Sequence, residues 1–295
     1  MKRVSTLFVV LSLCLSAINA VAQTSVATAD APKTPFAYPV APDTCATLES
    51  RCNYIVQNFW NNYDIAKPIA NDADFETAFR DYVGFFRYAH KNIVMSSVRH
   101  FIFKARSNSS NLVKVGRVAE SALYGPYAEY WSDELYVEIA KLISESTTLK
   151  AADRNYYKHQ IEVINNCLVG AKLQDIDLNT ATGKVKLSSL GAKSYLLVFT
   201  DDSSSSSIDR LRLSTDVNLN ALIEGGQLTA VQIFLGKADN GWAETQPANW
   251  TNAYNEQVAR TLDLRGCPVC YIVDSDLTIL TKNVSAEDIK TALGQ

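Results

Sequence analysis

Residues 195–222 read YLLVFTDDSSSSSIDRLRLSTDVNLNAL, and the order of their properties decides the fold class. Tyr195–Phe199 is a continuous apolar run, the pattern of a strand buried on both faces. Asp201 and Asp202 turn the chain. Ser203–Ser207 then brings hydroxyls to a helix start, where side-chain oxygens accept from backbone N–H groups that have no partner within the helix. Ile208, Leu211, Thr215, Leu219 and Leu222 follow at three- and four-residue steps. A serine run also reads as a flexible linker, but the helical period resumes at once and leaves no room for one. The unit is strand, acidic turn, helix.

Working outward, Gly225-Gly226 stops the helix, Ala230–Leu235 is a second apolar strand, and Gly236–Asn249 leads to a helix expected at Trp250–Leu262. Arg265-Gly266-Cys267-Pro268 enters a strand at Val269–Val273, and Asp274-Ser275-Asp276 turns the chain into a last strand, Leu277–Thr281. Ser285 to Asp288 is a capping box for a final helix. Upstream, Lys172–Leu178 and Lys184–Leu190 flank Asn179–Gly183 as a hairpin. A parallel βαβ start with an antiparallel finish belongs to one layered α/β domain, residues 170–295.

The chain before it has a different period. Residues 43–169 read as a helical domain, with segments at Phe75–His90, Asn92–Arg106, Leu112–Leu123, Trp131–Glu145 and Ala151–Asn166 after a first helix capped by Asp43 or Thr44. Its aromatic residues, among them Phe59, Trp60, Phe79, Phe85 and Tyr136, recur at helical spacing and read as core. The fold class expected is therefore α+β overall: an all-α domain followed by an α/β domain. Residues 23–42, with Pro32, Pro35, Pro39 and Pro42, read as an extended tether.

Residues 1–22 carry the marks of a secretory signal. Lys2 and Arg3 precede the apolar stretch Leu7–Leu15, and Ala20-Val21-Ala22 forms an A-x-A site with cleavage expected after Ala22. The apolar stretch is too short to span a bilayer, and bulky Leu13 before Cys14 argues against a lipoprotein. The expected location is periplasmic or secreted, with no transmembrane segment. Losing Lys2 and Arg3 leaves 26 basic against 31 acidic residues, a balance that argues against nucleic acid as a partner.

Five cysteines remain beyond the signal: Cys45, Cys52, Cys167, Cys267 and Cys270. An odd number in an oxidising compartment leaves at least one thiol free or paired with another molecule. His90, His100 and His159 have no metal-ligand spacing, so no metal and no cofactor is expected. Cys267 and Cys270 form a C-x-x-C pattern, but they enter a strand. Residues three apart there sit about 10 Å apart on opposite faces, whereas a disulfide needs Cα atoms within about 7 Å. An irregular turn at Pro268 would shorten that span. Cys45 and Cys52 meet the same objection unless Cys45 lies outside the first helix.

The C-terminal half resembles the thioredoxin-like superfamily, in its envelope thiol-disulfide isomerase branch. The residues that carry the likeness are YLLVFTDD, the helix after it, and Gly266-Cys267-Pro268 entering a strand that ends Val273-Asp274. The first half, with RCNYIVQNFWNNYD, SDELYVEIAKLI and NNCLVGAKLQDIDL, resembles an uncharacterised helical domain that often precedes such redoxins. The resemblance implies a cis-proline at Pro268 facing the redox pair across a peptide groove lined by Cys267, Pro268, Asp201 and Asp202. It also lays Ser204 and Ser207 over the two redox cysteines. Serine cannot form the mixed disulfide that thiol exchange requires. The expectation is a degenerate, non-catalytic site that binds an envelope protein or peptide. The alternative is an enzyme, a thiol-disulfide oxidoreductase working through Cys267 and Cys270. A serine hydrolase is disfavoured, because no G-x-S-x-G elbow or neighbouring histidine base accompanies the serines.

Overall fold

A computed structural model describes residues 34–239, 242–286 and 288–289. The expected signal, the start of the tether and most of the last helix lie outside these residues. The chain divides into two compact units, one ending at Lys158 and the other beginning at His159. The first is helical and the second is built on a mixed sheet, so the class is α+β.

The helical unit contains α1 (Leu48–Asn58), α2 (Asp72–Gly84), α3 (Lys91–Ala105), α4 (Ser109–Leu123) and α5 (Asp133–Ser144), followed by α6 (Ala151–Asn166), within which the second unit begins. Short polar side chains start these helices by accepting from N–H groups of the first turn. Thr47 and Ser50 form a reciprocal capping box on α1, and Asn71, Asn108 and Ser132 cap α2, α4 and α5. Phe59, Trp60, Phe79, Phe85 and Tyr136 are buried as their spacing requires, but Trp131 stays 47% exposed. The expected tether ends sooner than residue 42. The Phe36 ring lies 5.1 Å from that of Tyr63, and Tyr38 Oη donates to Asp81 at 2.8 Å. Proline and alanine dominate that stretch, but two aromatic side chains are enough to dock it.

In the second unit β1 (Asp177–Thr180) and β2 (Gly183–Lys186) form the expected hairpin, shorter than its apolar pattern. Then come β3 (Ser194–Thr200), α7 (Ser204–Ser214), α8 (Val217–Glu224), β4 (Thr229–Phe234), β5 (Thr251–Tyr254), β6 (Val269–Asp274) and β7 (Ile279–Val284). The sheet order is β2-β1-β5-β4-β3-β6-β7. β3 lies inside it, parallel to β4 and antiparallel to β6. Alternation sorts the strands into two cores. Leu197, Phe199, Tyr271 and Val273 face one, which also takes Cys167, Leu173 and Leu262. Leu196, Val198, Cys270 and Ile272 face the other, under Leu213 of α7 and Leu219 of α8.

Two expectations fail here. The helix expected at Trp250–Leu262 is instead β5 followed by a short 3-10 turn, Val258–Arg260. Thr251–Tyr254 pairs with Val231–Phe234 on one side, and Ala253 and Tyr254 pair with the hairpin on the other. The sheet thus overrides a helix-like spacing of Trp250, Val258 and Leu262. The second concerns the serine-headed helix, which breaks at Thr215 and restarts with Asp216 as the α8 cap. Its apolar face is also not the buried one. Ile208 and Leu211 are 58% and 64% exposed, whereas Ser206 and Leu213 are 1% and 2% exposed.

Candidate functional site

β3 delivers the chain to the candidate site, and β6 brings the opposite wall. Phe199 is the Cα partner of Val269 in the antiparallel ladder. Just beyond that pair Asp201 lies close enough to Cys267 for its charge to act on the thiol. The Cys267–Pro268 peptide is cis, as the resemblance implied.

At the β3–α7 junction the side chains close on one another. Asp201 Oδ1 accepts from Ser203 N at 3.1 Å, from Ser203 Oγ at 2.5 Å and from Ser206 Oγ at 2.6 Å. Ser206 Oγ in turn accepts from Asp201 N at 3.0 Å, and Ser203 Oγ caps the helix by accepting from Ser206 N at 3.2 Å. Burial acts to raise the Asp201 carboxyl, but the Ser203 and Ser206 donors outweigh it and hold the group below the usual carboxylate range. Asp201 is therefore an anion committed to its own loop and a poor proton acceptor at neutral pH. Asp202 beside it is exposed.

Ser204 and Ser207, the positions laid over the redox cysteines, occupy the first and fourth places of α7, and both are exposed. The pair at the same spacing with one half-buried and one fully buried member is Ser203 and Ser206. The sequence carries no signal for this choice, since five serines in a row fit several registers.

The two thiols at the site are not a dithiol. Cys267 packs against the Phe199–Tyr271 core and Cys270 belongs to the core on the other face, as the strand geometry requires. Both are free. Burial pushes the Cys267 thiol up to about 12, with the Asp201 charge adding to the effect, and burial with the Asp209 charge does the same for Cys270. A rise from 9.0 to about 12 lowers the thiolate fraction at neutral pH about a thousandfold. Cys45, which precedes α1, and Cys267 are half-exposed, and the other three cysteines are buried. Alkylation of native protein is therefore expected at Cys45 and Cys267 alone, with the Cys267 rate climbing steeply with pH. Mass spectrometry of the labelled chain checks this. Fast labelling of Cys267 at pH 7 would contradict the burial argument.

Two residues before Cys267, Arg265 enters a buried ion cluster that no local pattern announces. Asp263 Oδ2 receives Arg265 Nη2 at 2.8 Å and Lys282 Nζ at 2.5 Å. Asp263 N donates to Cys167 Sγ at 3.3 Å, and Tyr271 Oη donates to the Asp263 carbonyl at 2.5 Å. Burial acts to raise the Asp263 carboxyl, but the Arg265 hydrogen bonds and the Arg265 and Lys282 charges bring it below the usual range. The cluster ties the loop that carries Cys267 to β6 and β7.

His90 and His100 belong to the first unit, and no hydrogen bond joins a histidine to the serines among the described residues. His159, expected in the first domain, opens the second unit and lines a separate cavity with Lys172 and Arg260. Among the described residues no three His, Cys, Asp or Glu side chains converge as a metal site, and no helix is long and apolar enough to cross a membrane.

Comparison with known proteins places both units. The family described as Domain of unknown function (DUF5106) matches residues 14–167. The fold is similar to that of a thioredoxin-like protein from Bacteroides caccae ATCC 43185, with a TM-score of 0.73 and 20% identity over 88% of this chain and 98% of that one. Two further structures cover 43% of this chain at 18% identity, each with a TM-score of 0.37. One is the thioredoxin domain of a thiol-disulfide oxidoreductase from Bacteroides vulgatus, matched over 96% of its length. The other is a thiol:disulfide interchange protein from Bacteroides sp., matched over 89%. No curated protein matches.

Proposed function

The chain belongs to the family described as Domain of unknown function (DUF5106), here followed by a thioredoxin-like domain, and from that premise we propose that it is a non-catalytic thioredoxin-like protein of the periplasm or the secreted fraction. Its groove, formed by Cys267, cis-Pro268, Asp201 and Asp202, holds an extended segment of an envelope protein or peptide. The observation that carries this reading is the Asp201–Ser203–Ser206 unit, which fills the strand-to-helix junction with hydroxyls bonded to a carboxylate. That junction is where a redoxin needs a thiolate stabilised by the helix N-terminus.

The rival reading, an oxidoreductase working through Cys267 and Cys270, has against it the placement of the two sulfurs on opposite sheet faces and thiols raised to about 12. Thiol exchange needs a thiolate to attack and a second thiol within reach to resolve the mixed disulfide. In an insulin-reduction assay the mature protein is expected to give turnover no higher than the uncatalysed background. Turnover comparable to an ordinary thioredoxin, abolished by Cys267→Ser, would establish the rival. Affinity capture from a periplasmic extract by the Cys45→Ser variant, with and without alkylation of Cys267 at raised pH, tests the binding half of the proposal. A partner retained equally by both forms would place binding elsewhere.

A further inference from the structure

The helical unit contains an open cavity of about 770 Å³ between the Trp60–Ala66 segment and the last turn of α3. That volume lies within the roughly 300–1,000 Å³ range of small-molecule sites. We infer that it binds a small organic anion with an aromatic body.

The apolar part of the argument rests on Phe103 and the wall facing it. Phe103 stands 70% exposed on α3, an aromatic ring with a hydrophobic surface left uncovered. The opposite wall is fixed. Trp60 is stacked on Phe101 at 4.3 Å and backed by Phe36 at 5.7 Å, and Asn62 Nδ2 is tied to the Ala37 carbonyl at 2.8 Å. A ring entering the cavity would meet Phe103 without any wall having to reorganise, which keeps the ordering cost of binding low.

The charge follows from Lys104 and Arg106. Lys104 makes no ion pair among the described residues. Arg106 also lines the cavity and is held in place by Nη2, which donates to the Leu142 carbonyl at 2.6 Å. Among the described residues the one carboxylate lining the cavity is Asp64, which faces Lys67 at 3.4 Å. The C-terminal dipole of α3 opposes an anion, at about half a unit charge, against two whole cations. Charge and apolar surface thus ask for one ligand that carries both.

Anilinonaphthalene sulfonate, an aromatic anion, and N-phenylnaphthylamine, the same ring system without its charge, separate the two contributions on the full mature chain. The sulfonate is expected to bind saturably at one site per chain by fluorescence titration. Lys104→Gln should weaken it about fivefold, the scale of an exposed charge contact, and leave the neutral probe unchanged. Phe103→Ser should weaken both probes about tenfold, the scale of a lost aromatic contact. Both residues are exposed, so the circular dichroism and melting temperature of the variants should match the parent. Saturable binding that ignores both substitutions, equal losses of both probes in Lys104→Gln, or no saturable binding would each overturn the inference.

Discussion

Asp263→Asn is expected to destabilise the thioredoxin-like unit by about 3–5 kcal/mol, the range found when one partner of a buried ion pair is removed. The side chains involved leave little room for water to compensate. Asp263 is 0% exposed, Arg265 4% and Lys282 10%. Asparagine keeps the shape but removes the anion that Arg265 and Lys282 both meet, and taking away one side of a buried ion pair leaves charge that the site no longer balances. Denaturant unfolding of parent and variant gives the difference, and a value under about 1 kcal/mol would sink the argument. The pH dependence adds a second check. The Asp263 carboxyl titrates below its ordinary 3.8 in the folded chain, so its contribution is fully present above that value and is lost as pH falls through the folded value. The gap between parent and variant should therefore be constant at neutral pH and shrink only in strong acid. A double variant, Arg265→Met with Asp263→Asn, removes one of the two cations together with the anion and should recover part of the loss.

That cluster also marks where reading the chain stops short. The β3 strand, the helix after it and the six helices of the first half are set by local patterns, apolar runs, caps and periodicity within a few residues, whereas the cis-proline at Pro268 follows from the family resemblance. Asp263 and Lys282 are 19 residues apart and meet only because β6 and β7 fold back on each other. No local pattern announces that. β5 is hidden for the same reason, since Thr251–Tyr254 is a strand only because β4 and β1 flank it. On α7 the apolar period identified a helix, but Ile208 and Leu211 are exposed while Ser206 and Leu213 are buried. Ser206 turns inward because Asp201 offers its oxygen a partner, and Ile208 is left outside. Hydrogen-bond partners chosen across a turn outweigh a weak apolar stripe, and spacing alone does not reveal them.

Ser203→Cys with Ser206→Cys is expected to turn the serine-lined junction into a redox-active pair, raising insulin reduction at least about tenfold over the parent protein. Residues three apart at a helix start have Cα atoms near 5 Å, within the span a disulfide tolerates, so distance does not separate this pair from Ser204 and Ser207. Exposure does. A thiol at position 203 would sit half-buried at the helix cap, where the N–H groups favour thiolate, and one at 206 would be shielded until the mixed disulfide forms. At 204 and 207 both sulfurs would face solvent. Asp201 works against either pair, because its charge favours the protonated thiol and it would lose two hydroxyl donors. Adding Asp201→Asn to the 203/206 variant should therefore lower the pKa of the attacking thiol and increase the rate further. Quantified thiols before and after mild oxidation, with insulin turnover alongside, distinguish the outcomes. Activity in the 204/207 variant with none in the 203/206 variant would restore the register read from spacing alone. Folded double variants that both fail to form a reducible disulfide would mean that the β3–α7 junction is not the place where this fold could support thiol chemistry.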